Sequence, residues 1–300
     1  MSRRVEPDIL LIGATGQVGH ELRAPLAELG AVTAPGRDAL DLTAPAAIRS
    51  CVQDVAPDVI VNAAAYTAVD DAEDEQERAE AVNARAPGVL ADTAAEVGAW
   101  LVHYSTDYVF DGTATRPYVE TDSTNPINLY GRTKQEGETA VQAADAAHLI
   151  LRTSWVYSAR RSNFLLSMLR LADEHETLTV VDDQTGTPTS AAWIAEATAT
   201  ILRRLQDAET PDDFCGLYHL AASGQTSWYG FAQAIFAQFG RTDVTVEPIP
   251  TDEYPTPAKR PAYTVLDSSK ARTTFDLDIP TWSEQLDALR EHMNDRDGER

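Results

Sequence analysis

The stretch Asp8-Ile9-Leu10-Leu11-Ile12-Gly13-Ala14-Thr15-Gly16-Gln17-Val18-Gly19 decides the fold. Its first five residues form a short aliphatic run, which reads as a strand buried on both faces. Glycine then recurs at every third position. Gly13 permits a tight turn, Gly16 lets backbone come close to a bound group, and Gly19 lets the next helix pack against the strand. The amides left free where that helix starts, together with the partial positive charge of its end, suit a phosphate. Strand, glycine turn and helix in this order predict a dinucleotide-binding βαβ unit.

Outward from that unit the pattern repeats. Strands are expected at 31–34, 59–62, 100–104 and 148–152, with helices at 44–55, 79–97 and 128–142. Repeated βα units give an α/β fold, a Rossmann-type doubly wound parallel sheet whose ligands sit at the carboxyl ends of its strands. Gly13, Asn62-Ala63-Ala64-Ala65, Ser105-Thr106 and Thr153-Ser154-Trp155 all fall at such ends. After Trp155 the alternation fades. Helices are expected at 164–174, 191–206, 228–239 and 281–292, and a strand at 178–181. Pro248, Pro250, Pro255, Pro257 and Pro261 punctuate a stretch that cannot be regular helix. The chain therefore divides into a dinucleotide-binding domain, 1–155, and a smaller mixed α/β substrate-binding domain, 156–300, with some elements of the second free to return to the first. The polar tail from about Asn294 is expected to fray.

Within Leu129-Tyr130-Gly131-Arg132-Thr133-Lys134, Tyr130 and Lys134 share one helix face at i,i+4 spacing. A free phenol, with a pKa near ~10, is a poor proton donor at neutral pH, and a neighbouring ammonium favours phenolate and lowers that value. Thr106, in His103-Tyr104-Ser105-Thr106-Asp107-Tyr108, offers a hydroxyl placed to polarise a carbonyl. A dinucleotide cradle, such a hydroxyl and a tuned Tyr/Lys pair together describe hydride transfer. The second strand ends in Ala34-Pro35-Gly36-Arg37-Asp38. An NAD-selective site usually carries an acid at that end for the ribose 2′-OH. None follows the strand directly here, and Arg37 is placed to pair with a 2′-phosphate. NADPH is the expected cofactor, with NADH as an accepted alternative.

The 300 residues carry 47 acidic against 24 basic side chains, a net charge of −23, and lysine occurs only at positions 134, 259 and 270. That field repels nucleic acid and anionic membrane and argues against both as partners. It also requires positive charge to be concentrated wherever a phosphorylated ligand binds. The run Asp70-Asp71-Ala72-Glu73-Asp74-Glu75-Gln76-Glu77 reads as a solvated acidic surface rather than a metal site. Abundant acid with scarce lysine points to a saline cytoplasm, where screening eases self-repulsion. The histidines contain no H-x-x-x-H pair, and Cys51 and Cys215 stand apart, so neither zinc nor a disulfide framework is suggested. Without a signal-peptide core or a membrane-length apolar run, a cytoplasmic location is expected.

Five more segments carry a resemblance. They are Val61-Asn62-Ala63-Ala64-Ala65-Tyr66-Thr67-Ala68-Val69-Asp70, Val102-His103-Tyr104-Ser105-Thr106-Asp107-Tyr108-Val109-Phe110, Leu151-Arg152-Thr153-Ser154-Trp155-Val156-Tyr157, Asp183-Gln184-Thr185-Gly186-Thr187-Pro188-Thr189 and Tyr254-Pro255-Thr256-Pro257-Ala258-Lys259-Arg260-Pro261. With the G-x-x-G-x-x-G spacing of the short-chain dehydrogenases, they make the chain similar, over nearly its whole length, to the dTDP-4-dehydrorhamnose reductase family. The resemblance implies NAD(P)H-dependent reduction of the 4-keto group of dTDP-4-dehydro-β-L-rhamnose to dTDP-L-rhamnose, a nucleotide sugar for cell-surface polysaccharide. It implies that Tyr130 protonates the C4 oxygen, that Lys134 holds the nicotinamide ribose hydroxyls, and that Thr106 bonds to the same C4 oxygen. Thr106, Asp107, Tyr130 and Trp155 match positions that meet the deoxysugar, and Arg260 is a candidate for the sugar or the diphosphate. The implied cofactor set is Gly13, Thr15, Gly16, Gln17, Val18 and Gly19 around the pyrophosphate, then Arg37, Asp41 and Leu42 on the adenosine side. Ala63, Ala64, Ala65, Tyr66, Tyr104, Tyr130 and Lys134 complete it.

Some members of that family bind Mg²⁺ at a dimer interface through two glutamates. Glu21 matches the first, but Ala192 stands at the second, so no metal is expected and the choice between monomer and homodimer stays open. Two other readings remain. One is a reductase or epimerase of a related nucleotide sugar, although the Ser-Thr-Asp-Tyr-Val-Phe segment argues against an epimerase. The other is a non-catalytic protein similar to the regulatory subunit of methionine adenosyltransferase; intact Thr106, Tyr130 and Lys134 favour an enzyme.

Overall fold

Asp8–Ile12 forms strand β1, with all but its first residue buried, in the computed structural model, which describes residues 6–298. Along the chain follow α1 (Gln17–Glu21), β2 (Ala31–Thr33), α2 (Pro45–Val55), β3 (Val59–Asn62), α3 (Ala86–Val97), β4 (Trp100–Thr106), α4 (Leu129–Ala143), β5 (His148–Thr153), α5 (Ala191–Asp207) and β6 (Gly216–His219). The six strands make one parallel sheet in the order β6-β5-β4-β3-β1-β2. From β1 the chain moves outward to β2, then crosses back to β3 on the other side. The topological switch point, where ligands bind in open α/β sheets, is therefore the β1/β3 crevice.

Alternation along β1 sends Ile9 and Leu11 to one face and Leu10 and Ile12 to the other. The first face packs against Ile194, Ile201 and Leu202 of α5 and against Phe275 from the helix Ser269–Phe275. The second packs against Ile48 and Val52 of α2, Leu90 and Ala94 of α3 and Val141 of α4. A separate core of Tyr157, Leu165, Met168, Phe231, Ile235 and Leu286 lies under the later part of the chain.

Four features differ in detail from the sequence expectation. The helix expected at 79–97 is built in pieces, with a π-helical turn at Ala81–Arg85 leading into α3. Strand β6 was not legible in four residues led by a glycine; it completes the sheet edge beside β5. Thr245–Ile249 pairs in parallel with Thr177–Val181 despite Pro248, which a two-stranded edge tolerates. The last helix, Trp282–Gly298, runs on past Asn294. Residues 1–5 and the tail residues 299–300 lie outside the described residues. Among those described, no helix is long and apolar enough to cross a membrane.

Candidate active site

At the switch point Gly13 turns with φ of +85°, and a Cβ there would meet the Ala64 amide nitrogen at 2.6 Å. A Cβ on Gly19 would overlap the Gly13 carbonyl oxygen. The glycine loop is thus wedged between its own helix and the end of β3, with Thr15 exposed and Gly16, Gln17 and Val18 half-buried. The Gln17 side-chain oxygen accepts hydrogen bonds from Ser158 (2.8 Å) and Asn163 (2.9 Å), tying the loop to segment 158–163. No sequence signal announced that tie.

On the far side of the crevice, Asn62 accepts from the Ala64 amide at 3.2 Å while its own amide meets His103 Nδ1 at 3.1 Å. Buried Asn83, carried by the π turn, accepts from the Tyr66 amide (2.8 Å) and donates to the Tyr66 carbonyl (3.0 Å) and to Thr133 (3.2 Å). That clamp fixes Tyr66, at the end of the Ala63-Ala64-Ala65 run, relative to α4. Asp41 is exposed and accepts from both the amide and the hydroxyl of Thr43, which hold its carboxyl below the usual range, while Leu42 packs towards the core. Arg37 is exposed and makes no ion pair among the described residues.

Asn128 caps α4 by accepting from the Gly131 amide at 2.8 Å. A Cβ on Gly131 would overlap the Tyr108 carbonyl oxygen, so glycine lets the helix press against the end of β4. Tyr130 consequently lies edge-on to Tyr108, with ring centroids 5.8 Å apart. Lys134, 2 % exposed, donates to the Tyr104 carbonyl at 2.6 Å, and its Nζ lies 3.4 Å from His103 Nε2. Burial pulls Lys134 down to about 8, with Glu138 acting to raise it. Tyr130 is pushed up to about 12, by burial first; its hydrogen bond with Thr106 works to lower it and Asp107 to raise it. From its i,i+4 spacing Lys134 was expected to bring the phenol down. In the folded chain desolvation outweighs any such effect, and the ammonium spends its shortest bond on backbone.

Thr106 donates to Asp107 at 3.0 Å and accepts from the Tyr108 amide at 3.2 Å. Asp107 also accepts from Ser154 at 3.0 Å; burial pushes its carboxyl up to about 6 against these bonds. Trp155 adopts φ of +45° and stacks flat on Trp228, with centroids 3.5 Å apart and planes within 3°. A Cβ on Gly186 would overlap the Trp155 indole, which accounts for the glycine of the Gln184-Thr185-Gly186-Thr187-Pro188 segment.

Two residues enter differently from the reading of the sequence. The Tyr104 phenol points to the opposite face of the sheet, where its oxygen lies 2.6 Å from Thr198 on α5; strand alternation leaves only its carbonyl on the site side. Arg260 is held by Asp70 at 2.7 Å and by the Ala258 carbonyl at 2.9 Å, so its guanidinium faces a carboxylate rather than open space. Sequence reasoning also passed over Glu138, although its i,i+4 spacing from Lys134 was readable. Glu138 and Arg152 form a buried bidentate pair (2.8 and 2.6 Å), and Arg152 also lies over the Phe110 ring. Among the described residues no three His, Cys, Asp or Glu side chains cluster as a metal site; Glu21 sits on α1 and Ala192 on α5, helices that pack together.

A phenol that stays protonated at neutral pH, a threonine hydroxyl at the end of β4 and an ammonium one turn along α4 thus lie on the sheet edge that also carries the glycine turn, with β3 between β4 and β1. That arrangement is equipped to donate a proton to an oxygen that is gaining charge.

Comparison with known proteins follows the same line. The family model described as the RmlD substrate binding domain matches residues 7–294. The chain is 48% identical over 282 residues to a dTDP-4-dehydrorhamnose reductase of Burkholderia thailandensis, covering 91% of this chain and 95% of that protein. The crystal structure of a dTDP-4-dehydrorhamnose reductase from Clostridium acetobutylicum superposes with a TM-score of 0.89 at 38% identity, covering 96% of this chain and 99% of the other. One from Bacillus anthracis, in complex with NADP, does so with a TM-score of 0.87 at 34% identity, covering 95% and 99%.

Proposed function

Because the chain belongs to the dTDP-4-dehydrorhamnose reductase family, we propose that the site described above reduces the 4-keto group of dTDP-4-dehydro-β-L-rhamnose with NADPH, giving dTDP-L-rhamnose. The observation that carries the residue assignment is the convergence of Tyr130, Thr106 and Lys134 at the edge of the glycine crevice. The backbone cradle at Gly13–Gly19 fits a dinucleotide, since glycine at 13 and 19 lets the loop press against the end of β3 and its own helix and leaves its amides to face a phosphate. When bound, NADPH supplies the hydride that reaches C4.

The remaining steps belong to this chain. The Tyr130 phenol, kept protonated by burial, gives its proton to the C4 oxygen as charge develops there. The Thr106 hydroxyl, beside Tyr130, turns the proton it gives Asp107 in the resting site towards that same oxygen and so stabilises the alkoxide. Lys134, anchored by the Tyr104 carbonyl, turns its remaining donor capacity to the ribose hydroxyls and holds the ring in place. Asp107, fixed by Ser154, orients Thr106 and faces the deoxysugar, with Trp155 as the apolar wall. Arg37 reads the 2′-phosphate. We further assign the enzyme to the cytoplasm of a cell with high internal salt, on its net charge of −23.

The test is direct. Purified protein with NADPH and dTDP-4-dehydro-β-L-rhamnose should lose nicotinamide absorbance in proportion to dTDP-L-rhamnose formed. Turnover of a different nucleotide ketosugar in preference would reassign the substrate, and no turnover of any would return the non-catalytic reading.

A further inference from the structure

In so acidic a molecule, an arginine without a carboxylate partner needs a reason. Arg49, Arg78, Arg116, Arg152, Arg170, Arg204 and Arg260 each lie within ion-pair distance of a carboxylate. Arg160 and Arg161 do not, among the described residues, although they are adjacent like charges. Both reach back instead, Arg161 to the glycine loop and Arg160 to the helix α1 that follows it. Arg161 Nε donates to the Thr15 carbonyl at 2.8 Å, and Arg160 Nη1 lies 2.7 Å from His20 Nε2. The segment bearing them is fixed to the same loop through Gln17, which takes Ser158 at 2.8 Å and Asn163 at 2.9 Å.

Arg161 also holds its backbone at φ of +61°, a left-handed conformation that is unfavourable for any residue with a side chain. An exposed arginine recovers little of that by packing. What the strained backbone achieves is position: with Nε committed to Thr15, the two terminal amino groups of Arg161 remain as a fork beside the loop, the geometry that matches phosphate oxygens.

We propose that Arg160 and Arg161 form the cationic wall of the dinucleotide's diphosphate site, opposite the glycine-loop amides. The inference rests on the reductase reading and adds to it two residues, contributed by the segment after β5 rather than by the nucleotide-binding βαβ unit. It answers a problem the composition poses. A diphosphate approaching a molecule of charge −23 is repelled at long range, and backbone amides carry only partial charges. Two guanidiniums with no competing carboxylate supply the missing attraction.

Titration of nicotinamide fluorescence tests this with Arg160→Gln, Arg161→Gln and Arg161→Gly. Each should weaken NADPH and NADH alike, by roughly tenfold to a hundredfold, the range for a lost hydrogen bond to a charged group. ADP-ribose, which contains the diphosphate, should lose affinity in parallel, while adenosine 2′-monophosphate should not. Arg161→Gly is decisive, because glycine accepts the left-handed backbone: its melting temperature should hold or rise while cofactor affinity falls. Arg37→Ala is the contrast, expected to weaken NADPH by a similar factor and leave NADH nearly untouched. Wild-type binding with unchanged arginine variants would overturn this inference alone, as would a loss confined to NADPH. A wild-type protein that binds neither dinucleotide would overturn the reductase reading and this inference with it.

Discussion

The stripe Tyr130, Lys134, Glu138 along α4 and the acidic exterior solve opposite electrostatic problems. On the stripe Lys134 and Glu138 are buried and Tyr130 is half-buried, and desolvation decides protonation: Tyr130 is pushed up to about 12 and Lys134 down to about 8. On the exterior, numbers decide, with 47 carboxylates against 24 cations and ion pairs open to water, such as Arg170–Glu174 at 3.0 Å. One region is governed by desolvation, which salt barely touches, and the other by long-range Coulomb repulsion, which salt erases. Catalytic behaviour should follow the first and stability against ionic strength the second.

The sharpest way to break the catalytic half is Tyr130→Phe. The ring and its packing against Tyr108 survive, but the proton is gone, so kcat should fall by roughly 10²–10⁴, the usual scale of general acid catalysis. Normal turnover in a folded variant would remove Tyr130 from the mechanism. Next in size is Glu138→Gln, which leaves Arg152, 4 % exposed, as a buried charge without its counter-ion. Breaking one partner of such a pair costs about 3–5 kcal/mol, to be read in a denaturant titration. Arg152→Met added to Glu138→Leu should recover much of that loss; if the double replacement is no better than the single one, packing rather than charge is what the pair provides.

Lys134 gives the stripe a pH signature. Its folded pKa is about 8, against an ordinary value of 10.5. Above pH 8 the folded protein loses the ammonium that the ribose hydroxyls need, so kcat/KM should drop by about tenfold per pH unit. Stability should move the other way. The unfolded chain binds more protons at Lys134 between about 8 and 10.5, so the burden of burying that charge, fully present below 8, fades as pH rises through the window. A rate that stays level to pH 10 would mean that Lys134 acts without its charge, or keeps it by contacts that form only with bound cofactor.

Much of this contrast was legible in the sequence. Gly13, Gly16 and Gly19 announced the crevice because their spacing is dictated by backbone approach, and Tyr130 and Lys134 announced the proton donor because helix geometry alone makes them neighbours. What stayed hidden depends on contacts between residues distant in the chain. Asn83 reaches Tyr66 and Thr133 only because a π turn redirects it, Gly186 is required only because Trp155 lies over it, and β6 joins the sheet by pairing with β5. The direction of the Tyr130 shift was hidden for the same reason: an i,i+4 lysine is visible in sequence, but the burial that outweighs it is a property of the packed edge.

The smallest effect expected concerns the exterior, where two terms oppose each other. Raising salt weakens exposed ion pairs such as Arg49–Glu96 and Arg204–Asp276, at 3.3 and 2.8 Å, each worth about 0–1 kcal/mol. It also relieves the repulsion among the unpaired carboxylates. The Debye length falls from about 10 Å at 0.1 M to about 3 Å at 1 M. Partners already in contact, at about the shorter length, keep much of their attraction, whereas most like-charge repulsions act over longer distances and are lost first. Net stability should therefore rise with KCl. Each kcal/mol gained moves the melting temperature by about 2–4 °C for a chain towards this size, so an increase of a few degrees between 0.1 and 1 M is expected in thermal unfolding. Glu138→Gln should show the same salt increment as wild type, since its defect lies where ions do not reach. A melting temperature that is flat or falling over that range would withdraw the saline-habitat reading while leaving the assignment at Tyr130 intact.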